Sequence, residues 1–176
     1  GEVDYSTTFC TKSSLLLLDI DPSGHGDPNS LTIFKNELYF EADDGTNGDE
    51  LWKYDGVNAP SMVADINPGT VGSYPEYLTV FNNELYFRAY DVTNGYELWK
   101  YDGTNAPSIA ADIRPGSDNG FPSGLIVFNN ELYFSASDGI HGSELWKYDG
   151  VNAPSMVAEI RPGSSGGSIW QKTVFN

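Results

Sequence analysis

The sequence predicts an all-β chain folded as a β-propeller of four-stranded blades, and three observations carry that expectation. The first is an internal repeat of 47 residues. Leu31, Leu78 and Leu125 are evenly spaced (78 − 31 and 125 − 78), as are Glu50, Glu97 and Glu144, with no insertion or deletion between them. The second is texture: short runs of aromatic and β-branched residues alternate with Gly, Pro, Asn and Asp, and no stretch keeps a helical period. The third is that the middle runs are apolar on both faces, with Leu38 and Phe40 opposite Tyr39, and Leu51 opposite Trp52. A sheet apolar on both faces must be covered on both. Units of this length stacked around an axis meet that demand, which no single unit could meet alone. A β-solenoid is the main rival, but its coils are usually shorter.

Three complete blades are expected at 31–77, 78–124 and 125–171. In each, a first strand ("LTIF", "LTVF" or "LIVF") meets a tight "KN" or "NN" turn. The second strand is "ELYFEAD", "ELYFRAY" or "ELYFSAS". A longer loop such as "DGTNGD" leads to the third strand, "ELWKYD", and "GVNAP" or "GTNAP" turns into the fourth, "SMVADI" or "SIAADI". A D-I-x-P-G segment, with Glu159 in place of the Asp in the third unit, then starts the crossing to the next unit, where Pro before Gly specifies a type II turn.

The end segments are read as a fourth, composite blade. Val174, Phe175 and Asn176 match Val127, Phe128 and Asn129, the start of a unit. Asp19-Ile20 and Pro28 match Asp65-Ile66 and Pro75, the end of one. Residues 1–30 and 172–176 are therefore expected to share one closing blade, giving four blades in one domain over 1–176. A piece of a larger ring, or an assembling subunit, is the alternative.

Charge narrows the partners. Asp and Glu number 25 against 9 Lys and Arg, a net charge of −16, so nucleic acid and anionic membranes are disfavoured. Aromatics make up 14 %, unlike disordered acidic chains. The longest aliphatic run, Leu15 to Leu18, is far too short for a membrane span, and membrane insertion is not expected. The polar opening, Gly1-Glu2-Val3-Asp4, carries no signal peptide, so an exported protein would be in its mature form here. Cys10 is the single cysteine, either a buried thiol or an intermolecular disulfide.

"ELWKYDG" occurs in all three units, and from Leu31 to about Gly163 the chain resembles the ELWxxDGT repeat family. The closing Thr of that motif is present only as Thr104; Val57 and Val151 stand in the other units. The resemblance implies a propeller-like fold and an exported or cell-surface setting, and supplies no mechanism.

The loop before "ELW" is the first chemical candidate. Its triples are Asp44/Asn47/Glu50, Asp91/Asn94/Glu97 and Asp138/His141/Glu144. Carboxylates and amides around a Gly bend are calcium chemistry, although His141 is a poor calcium ligand. The competing reading is structural: Asx-Gly turns, with the Glu capping or pairing with Lys53, Lys100 and Lys147. The second candidate is aromatic. Trp52, Trp99 and Trp146, with Tyr54, Tyr101 and Tyr148, are expected mainly as packing. Tyr74, Tyr77, Phe121 and Trp170 fall in or near connecting loops, where a sugar site would draw on them with Asn119 or Ser123 as polar partners.

No nucleophile elbow, phosphate loop or zinc-protease motif occurs. Near-identical blades give their carboxylates near-identical environments, whereas a catalytic pair needs unlike ones. The leading expectation is a non-catalytic recognition or adhesion module for a glycan or cell-surface protein, with calcium as its only candidate cofactor. The alternative is a self-assembling surface-layer or filament protein joined through incomplete end units or Cys10. A hydrolase stands third.

Overall fold

The computed structural model describes residues 19–22 and 24–163. They form twelve strands and no helix, arranged as three antiparallel four-stranded sheets, one per repeat. The first sheet orders β1 (Asn29–Phe34), β2 (Glu37–Asp43), β3 (Asp49–Tyr54) and β4 (Ser61–Ala64) in sequence. The second contains β5 (Glu76–Phe81), β6 (Glu84–Asp91), β7 (Gly95–Tyr101) and β8 (Ser108–Ala111). The third contains β9 (Ser123–Phe128), β10 (Glu131–Ser137), β11 (Ser143–Tyr148) and β12 (Ser155–Ala158). The segments assigned to a closing blade, together with Cys10 and Trp170, lie mainly outside the described residues.

Local chemistry explains each meander. The first hairpin of every unit turns on two residues with positive φ: Lys35-Asn36 (48° and 65°), Asn82-Asn83 (48° and 61°) and Asn129-Asn130 (49° and 60°). That is the type I′ geometry whose twist suits a two-residue hairpin, and Asn tolerates it. Each first strand begins two residues earlier than the apolar pattern predicts, because a bulge interrupts it. The register slips between Asn29 and Thr32 and between Glu76 and Thr79. Ser30, Tyr77 and Gly124, one repeat apart, take φ of 56°, 60° and 60° at that point.

The sheets pack face against face. Phe34, Tyr39 and Leu51 of the first meet Leu78, Leu85, Phe87, Trp99 and Tyr101 of the second. Phe81, Tyr86 and Leu98 of the second meet Leu132, Phe134 and Tyr148 of the third in the same way. Tyr39 lies 5.9 Å from Tyr101, and Tyr86 lies 6.0 Å from Tyr148, so the repeat of sequence is a repeat of interface. Polar bonds knit the same junctions. Thr32 Oγ1 donates to the Leu78 carbonyl (2.9 Å) and Thr79 Oγ1 to that of Leu125 (3.4 Å). Along the first strands runs a cavity of about 330 Å³, bordered by Leu31, Thr32, Tyr77, Leu78, Thr79 and Leu125.

Among the described residues, the equivalent halves of this interface on the two outer sheets are more exposed. Phe34 and Phe81 are 2 % and 3 % exposed, whereas their equivalent Phe128 is 53 % exposed. At the other end Leu31, equivalent to the buried Leu78, is exposed, and an apolar hollow forms between Leu31, Leu38, Phe40 and Tyr54.

Candidate functional site

The three "ELW" glutamates are fully buried. β3 turns Glu50 onto the crossing to the next unit, where its carboxylate accepts from the amides of Ile66 (3.0 Å) and Ser73 (2.9 Å) and from the Ser73 hydroxyl (2.6 Å). Glu97 accepts from the amides of Ile113 (2.7 Å), Arg114 (3.3 Å) and Gly120 (2.7 Å), and Glu144 from those of Ile160 (2.7 Å) and Arg161 (3.4 Å). These carboxylates organise the D-I-x-P-G crossing. Burial pushes the Glu97 carboxyl up to about 7 and raises that of Glu50, outweighing the amides that favour the charge. The expected pairing of these glutamates with Lys53, Lys100 and Lys147 is replaced. Those lysines bind Glu37, Glu84 and Glu131, which also accept from Tyr39, Tyr86 and Tyr133.

The other members of the expected calcium triples close on themselves. Asp44 Oδ1 accepts from the amides of Thr46 and Asn47, and Asn47 Nδ2 donates to Asp44 Oδ2 at 2.8 Å. Asp91 and Asn94 repeat this, and in the third unit His141 Nδ1 takes the amide's place against Asp138 at 2.7 Å. The same device closes the hairpin after "ELWKY": Asp55 with Asn58, Asp102 with Asn105 and Asp149 with Asn152. Asp44-Gly45-Thr46-Asn47 and Asp102-Gly103-Thr104-Asn105 are one tetrapeptide used twice. The first is thus an Asx turn of the same kind as the second. The Asp and its partner therefore face each other, while the Glu of each triple serves the crossing. Among the described residues, no three His, Cys, Asp or Glu side chains lie close enough to hold a metal ion.

The expected loop aromatics do converge. Tyr74, Tyr77, Asn119 and Phe121 gather around two residues of the second unit, Arg88 on β6 and Tyr96 on β7. Phe121 stacks on Tyr96 at 5.3 Å and 22°, Tyr90 lies 5.1 Å from it, and Tyr74 lies 6.5 Å away. The Arg88 guanidinium sits 5.1 Å from the Tyr77 ring and 5.2 Å from the Tyr96 ring, and pairs with Glu76. Asn119 Oδ1 accepts from the Tyr96 amide at 2.9 Å, fixing the loop that delivers Phe121. Tyr77 and Phe121 remain exposed. Ser123 pairs with Ser135 in the third sheet, and Trp170 lies outside the described residues. Trp99, Tyr101 and Tyr148 are packing, as expected.

Arg88, Tyr90 and Tyr96 do not show in what the repeats share, because their signal is difference. At these positions the three units read Glu41, Asp43, Asp49; then Arg88, Tyr90, Tyr96; then Ser135, Ser137, Ser143. Pairing places them together, with Asp43 opposite Asp49, Tyr90 opposite Tyr96 and Ser137 opposite Ser143. One scaffold therefore presents an acidic, an aromatic-cationic and a serine patch.

No family model matches the chain, and no curated protein matches it. Among solved structures it is similar to the computationally designed Ika8 protein, crystallised in P63, with 17 % identity and a TM-score of 0.44. The match covers 78 % of this chain and 38 % of that one.

Proposed function

We propose that the chain is a non-catalytic recognition module of an exported or cell-surface protein, and that it binds a glycan at the junction of the first and second units. The observation that carries this reading is the convergence of Tyr74, Tyr77 and Phe121 on Tyr96 and Arg88, which among the described residues occurs in one of three closely similar units. Aromatic faces take the C–H faces of sugars, and the carboxylates and amides alongside take hydroxyls. An open groove of about 330 Å³, bordered by Tyr77, adjoins them. A glycan array, followed by fluorescence titration of the hits, tests the reading. Binding lost on Tyr77→Ala and Phe121→Ala is expected; binding to no glycan, or binding indifferent to both substitutions, overturns it.

The scaffold in this reading is a propeller related to the ELWxxDGT repeats, with four blades and a closing blade built from 1–30 and 172–176. Its support is the stacking of consecutive sheets through one repeated interface, with the two halves of that interface more exposed at the outer sheets among the described residues. The same exposed halves favour the second reading, head-to-tail self-assembly, because a heterologous contact that does not close makes a filament. Sedimentation separates them: a concentration-independent monomer fits the closed ring, and a growing series of oligomers fits assembly.

A further inference from the structure

Three contacts recur, one repeat apart, where a first strand meets the unit that follows it. The phenylalanine ending the strand enters that unit's core: Phe34 joins Leu78, Leu85, Phe87 and Tyr101, and Phe81 joins Leu132, Phe134 and Tyr148. The threonine two places earlier donates to a carbonyl of that unit, Thr32 to Leu78 and Thr79 to Leu125. The turn residue after the phenylalanine caps the hairpin that follows "ELWKY". Lys35 Nζ donates to the Asp102 carbonyl, and Asn82 Nδ2 to that of Asp149. They lie so close that a Cβ at Gly103 would meet Lys35 at 2.9 Å, and one at Gly150 would meet Asn82 at 2.8 Å.

The first unit presents the receiving side of all three contacts, and among the described residues nothing takes it up. Leu31, Leu38, Phe40 and Tyr54, equivalent to Leu78, Leu85, Phe87 and Tyr101, border the apolar hollow with Ile20 and Pro28. Leu31 is 59 % exposed where Leu78 is 8 % exposed. No described threonine reaches the Leu31 carbonyl, and a Cβ at Gly56 would meet nothing within 4 Å. The crossing that enters this unit is nevertheless seated like the others. The Asp43 amide donates to the Gly26 carbonyl at 3.2 Å, as Tyr90 does to Ser73 at 2.7 Å and Ser137 to Gly120 at 2.8 Å.

The chain carries a segment of matching chemistry. Residues 172–176, outside the described residues, read "KTVFN". The 47-residue spacing puts Thr173, Phe175 and Asn176 in the places of Thr79, Phe81 and Asn82. Nine residues lead from Gly163 to Lys172, as nine lead from Gly116 to Leu125 (172 − 163 and 125 − 116). The β9 strand of a second copy fits less well, because Ile126 stands where the threonine hydroxyl is needed. We propose that 172–176 docks on the first sheet of its own chain. Phe175 fills the hollow, the Thr173 hydroxyl donates to the Leu31 carbonyl, and the Asn176 amide donates to the Asp55 carbonyl above Gly56. Burying Leu31, Leu38 and Phe175 together drives the docking. The proposal rests on the four-blade reading and specifies the residues of its seam.

Disulfide trapping in the full chain, with Cys10→Ser to remove the native thiol, tests it. Val57→Cys, beside Gly56, is combined with Asn176→Cys. Val151→Cys with Asn82→Cys is the control pair at a junction already described. Dilute oxidation is expected to link the Val57/Asn176 pair within one chain as fully as the control, read by peptide mass before and after reduction. If only the control closes, the seam is overturned. Sedimentation then separates the two readings: a monomer at every concentration keeps the ring, and growing oligomers remove it as well. A link between chains overturns docking within the chain and gives the hollow to a second copy. If the cysteines disturb folding, a double-mutant cycle of Phe175→Ala with Leu38→Ala reads the same contact by urea midpoints. A combined loss smaller than the sum of the two is expected, and additive losses overturn the proposal.

Discussion

Ser73 donates its hydroxyl to the buried carboxylate of Glu50 across 2.6 Å, while Gly120, its counterpart one repeat later, reaches Glu97 through its amide alone. A Cβ at Gly120 would sit 2.6 Å from Glu97 Oε1, so the second crossing is built around the absence of a side chain. Gly120→Ala is therefore expected to destabilise, and Gly120→Ser to destabilise less, because its hydroxyl restores the bond seen in the first unit. Ser73→Ala loses about 1 kcal/mol. Glu50→Ala loses about 3 kcal/mol or more, since it strands the buried Ser73 amide and its partners. Urea midpoints at constant slope measure all four. Equal losses for Gly120→Ala and Gly120→Ser would refute the restored bond.

Stability is expected to peak in mild acid. Burial holds the carboxyls of Glu41 and Glu97 at about 7, against an ordinary 4.5. Between those values the folded chain keeps protons that the unfolded chain has released, so stability falls as pH rises through that window. The Asx turns act oppositely: bonds from Asn58 and Asn105 hold Asp55 and Asp102 at about 2, against 3.8. Their stabilisation is present above 3.8 and is lost as pH falls towards 2. The maximum should lie near 3.8 to 4.5, and Glu97→Gln should make the alkaline limb shallower. A melting temperature that does not fall from pH 4.5 to 7 contradicts the assignment.

The aromatic site was legible in part. Tyr74, Tyr77 and Phe121 stood out because rings in loops lack a packing reason, and the structure gathers them. Arg88 and Tyr96 were hidden because they occupy strand positions whose neighbours are core, and only the comparison of Glu41, Arg88 and Ser135 exposes them. The strand order could be read from periodicity and turn residues, since each is a local property. The bulge at Ser30, Tyr77 and Gly124 could not, because nothing local requires φ near 60° at a tyrosine. The loop read as a calcium cradle also carries a turn signal in the chain itself. Its tetrapeptide recurs at Asp102 in a hairpin with no further carboxylate, which marks it as a turn.

Tyr77 should exchange stability for binding. A non-glycine residue in the left-handed region costs about 1–2 kcal/mol, and the third unit avoids that cost with Gly124. Tyr77→Gly is expected to raise the melting temperature, despite losing the ring beneath Arg88, and to weaken glycan binding at least tenfold. A variant that melts lower and binds as before removes Tyr77 from the site.

Phe128 distinguishes a closed ring from an open stack. Phe34 and Phe81 are packed by the next sheet, and replacing either by Ala should cost about 3–5 kcal/mol. Phe128 occupies the same place on β9 but stands 53 % exposed. In the proposed propeller the closing blade covers it, so Phe128→Ala in the whole chain should cost nearly as much as Phe81→Ala, at every protein concentration. In a self-assembling chain the cover is another copy, and the cost should appear only when the protein is concentrated enough to associate. A loss under about 1 kcal/mol at all concentrations, the scale of an ordinary surface change, would mean that nothing covers this face and that the ring does not close.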